Sequence, residues 1–129
     1  IQNLNADAHL VMPGVIALNA AKINTGLIQT MLGGLGAELL ETDGVAMLVL
    51  TEDPAWMASN MQNFLWATFT RANPSHDIDG VDATIVNKHW GSKGPLIFDA
   101  RIKKHHAPPV LKDATVEKRV DALLAKYGY

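Results

Sequence analysis

The sequence predicts an α/β fold in which a mixed sheet is flanked by helices. The run from Val45 to Leu50 is short, uninterrupted and apolar, which is typical of a strand buried on both faces. An amphipathic helix pattern follows that run directly, and short apolar runs bounded by turn residues occur on either side of the pair. A buried strand followed at once by such a helix is half of an α/β unit.

Composition narrows the class of protein. The 129 residues suit one domain, and 48% hydrophobic with 19% charged residues is typical of a globular chain. A formal charge of -2 gives no basic footprint for nucleic acid. The absence of cysteine rules out disulfides and thiolate zinc sites and suits a reducing compartment, so we expect a cytoplasmic protein. No apolar run approaches the ~20 residues of a membrane helix.

The first part of the chain predicts a lead-in and two strands. Residues 1–8 are polar and form a lead-in or cut linker before an α/β domain over 9–104. The apolar stretch Leu10–Leu18 is split by Pro13-Gly14, which predicts an edge strand or bulge followed by a strand over Val15–Leu18.

A helix is expected next, from Thr25. Its apolar residues recur at helical spacing: Leu27, Ile28, Met31, Leu32 and Leu35. Glycines crowd its end at Gly33, Gly34 and Gly36, which indicates either a helix terminus or a backbone cradle for phosphate. The spacing matches neither a P-loop nor a dinucleotide fingerprint.

The central helix has clear start and stop signals. Asp53 is a good N-cap and Pro54 suits the first helical position. Pro74 should end the helix near Arg71 or Ala72. One apolar stripe is expected to lie on the buried strand, formed by Met57, Met61, Phe64, Leu65, Thr68 and Phe69.

Short strands and loops should follow. Asp77–Asp82 is a turn-rich connection, Ala83–Val86 predicts a short strand, and Leu96–Phe98 predicts another. The segment Lys88–Gly94 between them is expected to be an ordered loop.

Residues 105–129 are expected to form a proline-containing arm and a C-terminal helix. His105 and His106 in an extended arm would point opposite ways. Asp113 can cap the helix, whose apolar side would carry Val116, Val120, Leu123, Leu124 and Tyr127. This unit packs either on its own domain or on a partner subunit.

Several charged residues are candidates for a site. Arg71 and Asp77 form either an ion pair or helix-end interaction that fixes the loop, or a site in which Arg71 meets a carboxylate or phosphate. Lys88, His89, Lys93 and Arg101 surround Trp90 as solvated charges, as the rim of an anionic-substrate pocket or as a subunit contact.

The sequence contains no recognisable catalytic or metal-binding motif. None of the five histidines belongs to a two-histidine helical metal motif, and no Gly-x-Ser-x-Gly occurs. Glu52 and Asp53 end the predicted central strand, where ligand sites of α/β folds gather, although capping accounts for Asp53.

Two blocks of the sequence carry a family resemblance. The helix ending Trp-Ala-Thr-Phe-Thr-Arg-Ala-Asn-Pro-Ser-His-Asp, at 66–77, resembles the C-terminal domain of the UbiD family of prenylated-flavin-dependent decarboxylases and carboxylases. The run Lys-His-Trp-Gly-Ser-Lys-Gly-Pro-Leu-Ile-Phe-Asp-Ala-Arg-Ile-Lys, at 88–103, is similar to the segment that follows it in many members. Within the family, the segments Lys-His-Trp-Gly and Asp-Ala-Arg-Ile-Lys are most similar to the phenylphosphate or phenolic-acid carboxylase branch.

The resemblance implies a parent enzyme that carboxylates or decarboxylates an aromatic or α,β-unsaturated acid, with prenylated FMN and manganese, and with potassium nearby. In the family the metal ligands, most flavin contacts and the catalytic acid precede the matched region. We therefore expect no catalytic or metal residue here, no cofactor bound to these residues alone, and a role in assembling a homo-oligomer and supporting the site.

Two alternatives remain open. The chain could be a free-standing, non-catalytic small subunit or binding module of a carboxylase complex. It could also be a small enzyme with its own deep cavity, lined by Arg71, His89 and Lys93.

Overall fold

The computed structural model describes residues 7–20, 43–108 and 113–128. The predicted helix from Thr25 and the glycines Gly33, Gly34 and Gly36 lie outside these residues. The described elements, in chain order, are β1 Ala8–Met12, β2 Val15–Asn19, β3 Met47–Thr51, α1 Pro54–Ala58, α2 Met61–Arg71, β4 Ile78–Gly80, β5 Ala83–Val86, β6 His89–Ser92, β7 Leu96–Asp99 and α3 Ala114–Lys126.

Five strands form one mixed sheet in the order β1-β2-β3-β7-β4. The three inner strands β2, β3 and β7 are parallel, and β1 and β4 pair antiparallel at the two edges. This arrangement confirms the predicted α/β class with a mixed sheet. It also confirms that the run Val45–Leu50 contains the central strand, because Leu48, Val49 and Leu50 are all buried.

The two faces of the sheet bury different residue sets. Val49 and Phe98 pair in register and face α1 and α2, where they pack with Met57 and Phe64. The other face buries a second cluster made of Leu18, Ala20, Leu48, Leu50, Val81 and Ile97. Burial of both faces explains why β3 is a continuous apolar run rather than an alternating one.

The turn between β1 and β2 lies where the sequence predicted it. Gly14 has φ +82°, which a β-branched residue would not tolerate. Its carbonyl accepts hydrogen bonds from Ala46 N at 2.8 Å and Met47 N at 3.0 Å, so the turn is held against the start of β3. The edge position of β1 is confirmed.

The central helix is two helices, not the one predicted. Asp53 caps α1 through Trp56 N, and Pro54 occupies its first turn, as expected. The chain then breaks at Asn60, whose side chain accepts from Asn63 N at 2.9 Å and caps a new helix. A side chain that offers a local acceptor competes with helix continuation, which is the physical reason for the break. The predicted end near Arg71 is confirmed.

The break changes which side chains of α2 face the sheet. Phe64 and Thr68 are buried as expected, together with Ala67. The predicted stripe is wrong for Met61 and Leu65, which are 48% and 47% exposed. Phe69 is 62% exposed, but its ring packs edge-on against Phe98 of β7 at 6.2 Å.

Two segments predicted to lack strands contain them. Ile78–Gly80, in the predicted turn region, pairs with β7, and His89–Ser92, in the predicted loop, pairs with β5. The β5–β6 hairpin turns at Asn87 and Lys88, both at positive φ. Such a turn ordinarily carries glycine, so its absence hid the hairpin. The strands predicted at 83–86 and 96–98 are confirmed.

The C-terminal helix is present and its cap is as predicted. Asp113 accepts from Thr115 N at 2.8 Å and from Val116 N at 3.2 Å. All of the predicted apolar side is exposed to solvent: Val116, Val120, Leu123, Leu124 and Tyr127.

The arm before that helix is not extended at its histidines. His106 N donates to Lys103 O at 2.9 Å, and His106 Nδ1 accepts from Lys103 N at 3.1 Å. This closed turn brings the rings of His105 and His106 edge to face at 4.6 Å, rather than pointing them opposite ways. Among the described residues, no helix is both long and apolar enough to cross a bilayer.

Candidate functional site at the carboxyl ends of the parallel strands

The inner strands end together at one edge of the sheet, and the chain leaving them carries charged residues. Thr51 ends β3 and is followed by Glu52, while Asp99 ends β7 and is followed by Arg101. Ala100 N donates to Leu50 O at 2.9 Å, so the pairing continues past the end of β7. Residues that are distant in sequence are therefore brought within contact distance at this edge, which is the usual ligand position in open α/β sheets.

Asp99 and Arg101 form a two-pronged ion pair at the end of β7. Arg101 Nε lies 2.8 Å from Asp99 Oδ1, and its NH2 lies 2.6 Å from Asp99 Oδ2. Burial by itself would raise the pKa of Asp99. The hydrogen bonds from Arg101 and the charges of Lys103 and Arg101 outweigh it and lower the pKa. Both side chains are nearly buried, so this pair holds the strand end firmly.

Lys103 joins this strand end to the turn after α2. Its Nζ lies 2.7 Å from Asp99 O, 3.2 Å from Arg71 O and 3.2 Å from Asp77 Oδ2. An ammonium group has three donors, and these contacts use them on three separate parts of the chain. Lys103 therefore connects α2, the turn and β7.

Asp77 is the buried acceptor in the turn. The residue is 5% exposed, and its Oδ2 accepts from Asn73 N at 2.8 Å. Its own carbonyl accepts from Asp99 N at 2.8 Å. The carboxylate thus closes the turn on Asn73 and binds Lys103.

Glu52 holds the chain that leaves β7. Its Oε1 accepts from Ile102 N at 2.6 Å, and its Oε2 lies 3.6 Å from Arg71 NH1. Oε2 is buried and makes no hydrogen bond, because the Arg71 contact is longer than one.

The six charged residues at this edge compensate one another. Three are acidic and three are basic, which gives a formal sum of zero. They are Glu52, Asp77, Asp99, Arg71, Arg101 and Lys103. We name this set the edge network. Partly buried charges that pair in this way fix the geometry of the chain.

Sequence reasoning identified only part of the edge network. Arg71, Asp77 and Arg101 were candidates, Glu52 was noted without a role, and Asp99 and Lys103 were missed. The missed residues follow directly after β7 and lie inside the second motif block. The sequence signal that could have identified them is their position just beyond the strand predicted over Leu96–Phe98.

The structure separates other residues that the sequence grouped. Arg71 pairs with Glu52, and Asp77 pairs with Lys103, so the expected Arg71–Asp77 ion pair is wrong. Arg101 belongs to the edge network rather than to a basic cluster around Trp90.

Lys88, His89 and Lys93 lie on or beside the β5–β6 hairpin, where Lys93 Nζ contacts Asp82 Oδ2 at 2.7 Å. That exposed hydrogen bond and charge raise the pKa of Lys93. The hairpin joins the sheet where β7 begins, and the edge network lies where β7 ends. The described residues therefore do not form the cavity expected from Arg71, His89 and Lys93 together.

A surface groove of about 430 Å³ adjoins the edge network instead. Its lining comes from the end of α2 and from the segment after β7: Trp66, Thr70, Arg71, Ile102, His106, Ala107 and Pro108. The Arg71 guanidinium carbon lies 5.2 Å from the centroid of the Trp66 ring. Trp56 packs edge-on against Trp66 at 6.0 Å.

The described residues do not fit a metal ion, and two cations of the edge network are not available to a flavin phosphate. Among residues 7–20, 43–108 and 113–128, no three His, Asp or Glu side chains lie close enough together to hold a metal. At the edge network, Arg101 and Lys103 already bind carboxylates of this chain.

Sequence comparison finds two uncharacterized relatives. An uncharacterized protein of Chlamydia muridarum (strain MoPn / Nigg) is 26% identical over 120 residues, which are 90% of this chain and 21% of the relative. An uncharacterized protein of Chlamydia trachomatis serovar D is 28% identical over 79 residues, which are 61% of this chain and 13% of the relative. The chain thus spans only a small part of either relative. No family model matches it.

Structure comparison finds similar chains among decarboxylases. The vanillic acid decarboxylase of Sedimentibacter hydroxybenzoicus in open form has a TM-score of 0.46 and 16% identity, over 86% of this chain and 27% of that one. An evolved dimeric form of the UbiD-class enzyme HmfF from Pelotomaculum thermopropionicum, in complex with prFMN, has a TM-score of 0.49 and 16% identity, over 85% and 23%. Both scores are below 0.5, so the fold assignment rests on the sheet and helices described above.

Proposed function

We propose that this chain is the C-terminal domain or a subunit of a prenylated-flavin-dependent (de)carboxylase that acts on an aromatic or α,β-unsaturated acid. Its role is to assemble the enzyme and to support the site, and these residues alone are inactive. Prenylated FMN, manganese and potassium belong to the rest of the parent enzyme. The chemistry that the flavin supplies when bound is stabilisation of the electron pair at the carbon that gains or loses carbon dioxide.

The observation that carries this proposal is that the two motif blocks meet in the fold. The first block supplies Arg71 and Asp77, and the second supplies Asp99, Arg101 and Lys103. Lys103 Nζ bonds across the blocks to Asp77 Oδ2 at 3.2 Å and to Arg71 O at 3.2 Å. The residues on which the resemblance depends are therefore one physical unit.

The chemistry of the edge network supports a structural role. Each carboxylate in it contacts a cation or a backbone N–H of the same chain. Groups held in this way stabilise the strand ends and are poorly suited to exchanging protons with a substrate.

Exposed apolar surfaces support a role in assembly. The C-terminal helix α3 is capped by Asp113 and presents an unburied apolar side. On the hairpin, Ile85, Val86 and Trp90 are 73%, 63% and 49% exposed beside Lys88 and His89. Apolar surfaces of this kind mark contacts between proteins. We propose that both surfaces contact other subunits of the enzyme.

The alternative function is a free-standing, non-catalytic small subunit of a carboxylase complex. Native mass spectrometry of the complex purified from its source distinguishes the two. The first function predicts that this sequence lies within a longer flavin-containing chain in a homo-oligomer. The second predicts a separate chain of about this length bound to a flavin-containing partner.

A decarboxylation assay tests the supporting role. These residues alone, supplied with prenylated FMN, manganese and potassium, should release no carbon dioxide from aromatic acids, while the intact complex should release it. Turnover by the isolated residues would overturn the proposed role. An intact complex without flavin would overturn the proposed function itself.

A further inference from the structure

The groove beside the edge network combines a cation with apolar walls. Arg71 is 17% exposed at its side chain and lines the groove together with Trp66 and Ile102. Trp66 and Ile102 are 54% and 51% exposed, so apolar surface faces solvent there beside a partly buried guanidinium.

The guanidinium of Arg71 has donors to spare. Among the described residues its polar contact is the 3.6 Å approach of NH1 to Glu52 Oε2, which is too long for a hydrogen bond. A guanidinium has five N–H donors in a planar fork, which suits two-pronged binding of a carboxylate. Glu52 Oε1 accepts from Ile102 N at 2.6 Å, which holds its Oε2 on the NH1 side of Arg71, while the Trp66 ring centroid lies 5.2 Å from the guanidinium carbon.

His106 also lines this groove. Its Nδ1 accepts from Lys103 N at 3.1 Å, which places the proton of the neutral ring on Nε2. The pKa of His106 is lowered by burial and then by the positive charges of His105, Lys103 and Arg71. Asp77 acts on this pKa in the opposite direction, with the smallest effect.

We propose that this groove binds a small organic carboxylate with a flat apolar body, whose carboxylate is bound by Arg71 and whose body packs against Trp66 and Ile102. A volume of about 430 Å³ is enough for such a molecule. Inorganic phosphate shares the charge but has no apolar body, so it binds more weakly. The proposal concerns residues of this chain alone and does not rest on the proposed function.

The test is a titration of the full 129-residue chain with benzoate, followed by amide and indole NMR. Benzoate should shift the signals of Trp66, Arg71 and Ile102 in a saturable way, with a dissociation constant of about 1 mM. Benzamide has the same shape without the charge and should bind about tenfold more weakly, because it cannot accept two charged hydrogen bonds from Arg71. Phosphate should bind about tenfold more weakly too, because it contacts no apolar wall.

Substitutions of groove residues test whether benzoate binds in the groove. Arg71→Gln should weaken benzoate binding about tenfold or more, whereas the matched control Arg119→Gln on the exposed helix α3 should leave it unchanged. If Arg71→Gln does not fold, Trp66→Leu replaces it, because Trp66 is 54% exposed and its loss spares the core. That variant should weaken binding about fivefold.

Three results would overturn the proposal. Benzamide or phosphate could bind as tightly as benzoate, benzoate could shift the hairpin residues Lys88 and Lys93 instead of the groove, or no saturable shift could occur up to the solubility limit. None of these results depends on flavin or on a partner subunit, so failure here leaves the proposed function standing.

Discussion

Lys103 Nζ lies 3.2 Å from Asp77 Oδ2, and both side chains are mostly buried, at 19% and 7% exposure. This contact links the turn after α2 to the segment after β7. Partly buried ion pairs are costly to break from one side, because the remaining charge is left without compensation. Loss of Lys103 should therefore cost more stability than loss of an exposed lysine elsewhere in the chain.

Lys103→Met should destabilise the chain by about 3 kcal/mol, because it leaves Asp77 buried without its cation and removes a donor from the carbonyls of Arg71 and Asp99. The measurement is urea unfolding followed by circular dichroism. The control Lys104→Met, at an exposed neighbouring position, should change stability by less than about 0.5 kcal/mol. Adding Asp77→Asn to Lys103→Met should restore part of the lost stability, because the uncompensated carboxylate is removed. If Lys103→Met were as stable as the control Lys104→Met, the role given to Lys103 would be contradicted.

Acid should weaken the edge network through Asp99. Its folded-state pKa is lowered below that of the unfolded chain, so its contribution to stability is complete above the unfolded value of about 3.9. That contribution is lost as the pH falls below about 4 towards the folded pKa. Urea midpoints measured from about pH 6 to about pH 3 should fall steeply for the natural sequence.

The variant Asp99→Asn separates this residue from other acids. It should be less stable at neutral pH and should show a flatter pH dependence. The exposed Asp82→Asn is the control and should keep the natural slope, because its partner Lys93 is solvated. The same slope in Asp99→Asn as in the natural chain would show that Asp99 does not carry the effect.

Met57 and Met61 are a matched pair for the helix break. Met57→Ala should cost about 3 kcal/mol, because that side chain is fully buried under β3. Met61→Ala should cost less than about 0.5 kcal/mol, because Met61 is 48% exposed. Thermal or urea unfolding of both variants measures the two losses of stability. Similar losses would indicate one continuous helix with a single buried stripe.

The sequence was sufficient where the signal is local. The strand at β3, the cap at Asp53 and the helix end before Pro74 each follow from neighbouring residues, and all three are confirmed. The break at Asn60 was missed because the residue can serve either a continuous helix or a new cap. The choice depends on the packing of Phe64 and Ala67 against the sheet, which is a tertiary contact.

The edge network could be predicted only in part, for the same reason. Arg71 and Asp77 are near each other in sequence, so pairing them was the natural hypothesis. Their actual partners, Glu52 and Lys103, are brought close by the order of strands in the sheet. Strand order is not visible in local periodicity, and neither is the choice between two nearby partners of opposite charge.

The exposed side of α3 gives a prediction about assembly that follows from the proposed function. Leu123→Glu with Leu124→Glu should dissociate the oligomer, while chain stability stays unchanged because both side chains are exposed. Native mass spectrometry measures the assembly. The control Lys118→Glu with Arg119→Glu is also exposed on α3. It should lower the mass of the assembly less than the double leucine variant does. An intact oligomer in the leucine variant would remove α3 from the interface.

Gly80 is required by close packing of the β5–β6 hairpin against β4. A Cβ added at this position would lie 2.4 Å from Ser92 Cβ and 3.2 Å from the Trp90 ring. Gly80→Ala should therefore destabilise the chain by about 2 kcal/mol, because one of the two backbones must move. Urea unfolding measures the loss.

The matched control is Gly91→Ala, since a Cβ there meets nothing within 4 Å. It should be neutral or slightly stabilising, because alanine restricts the unfolded chain more than glycine does. Adding Ser92→Gly to Gly80→Ala should recover most of the loss by removing the atoms that clash. If the double variant stayed as unstable as Gly80→Ala, the strain would lie in the backbone of β4 itself, and the hairpin would not be packed on Gly80 as described.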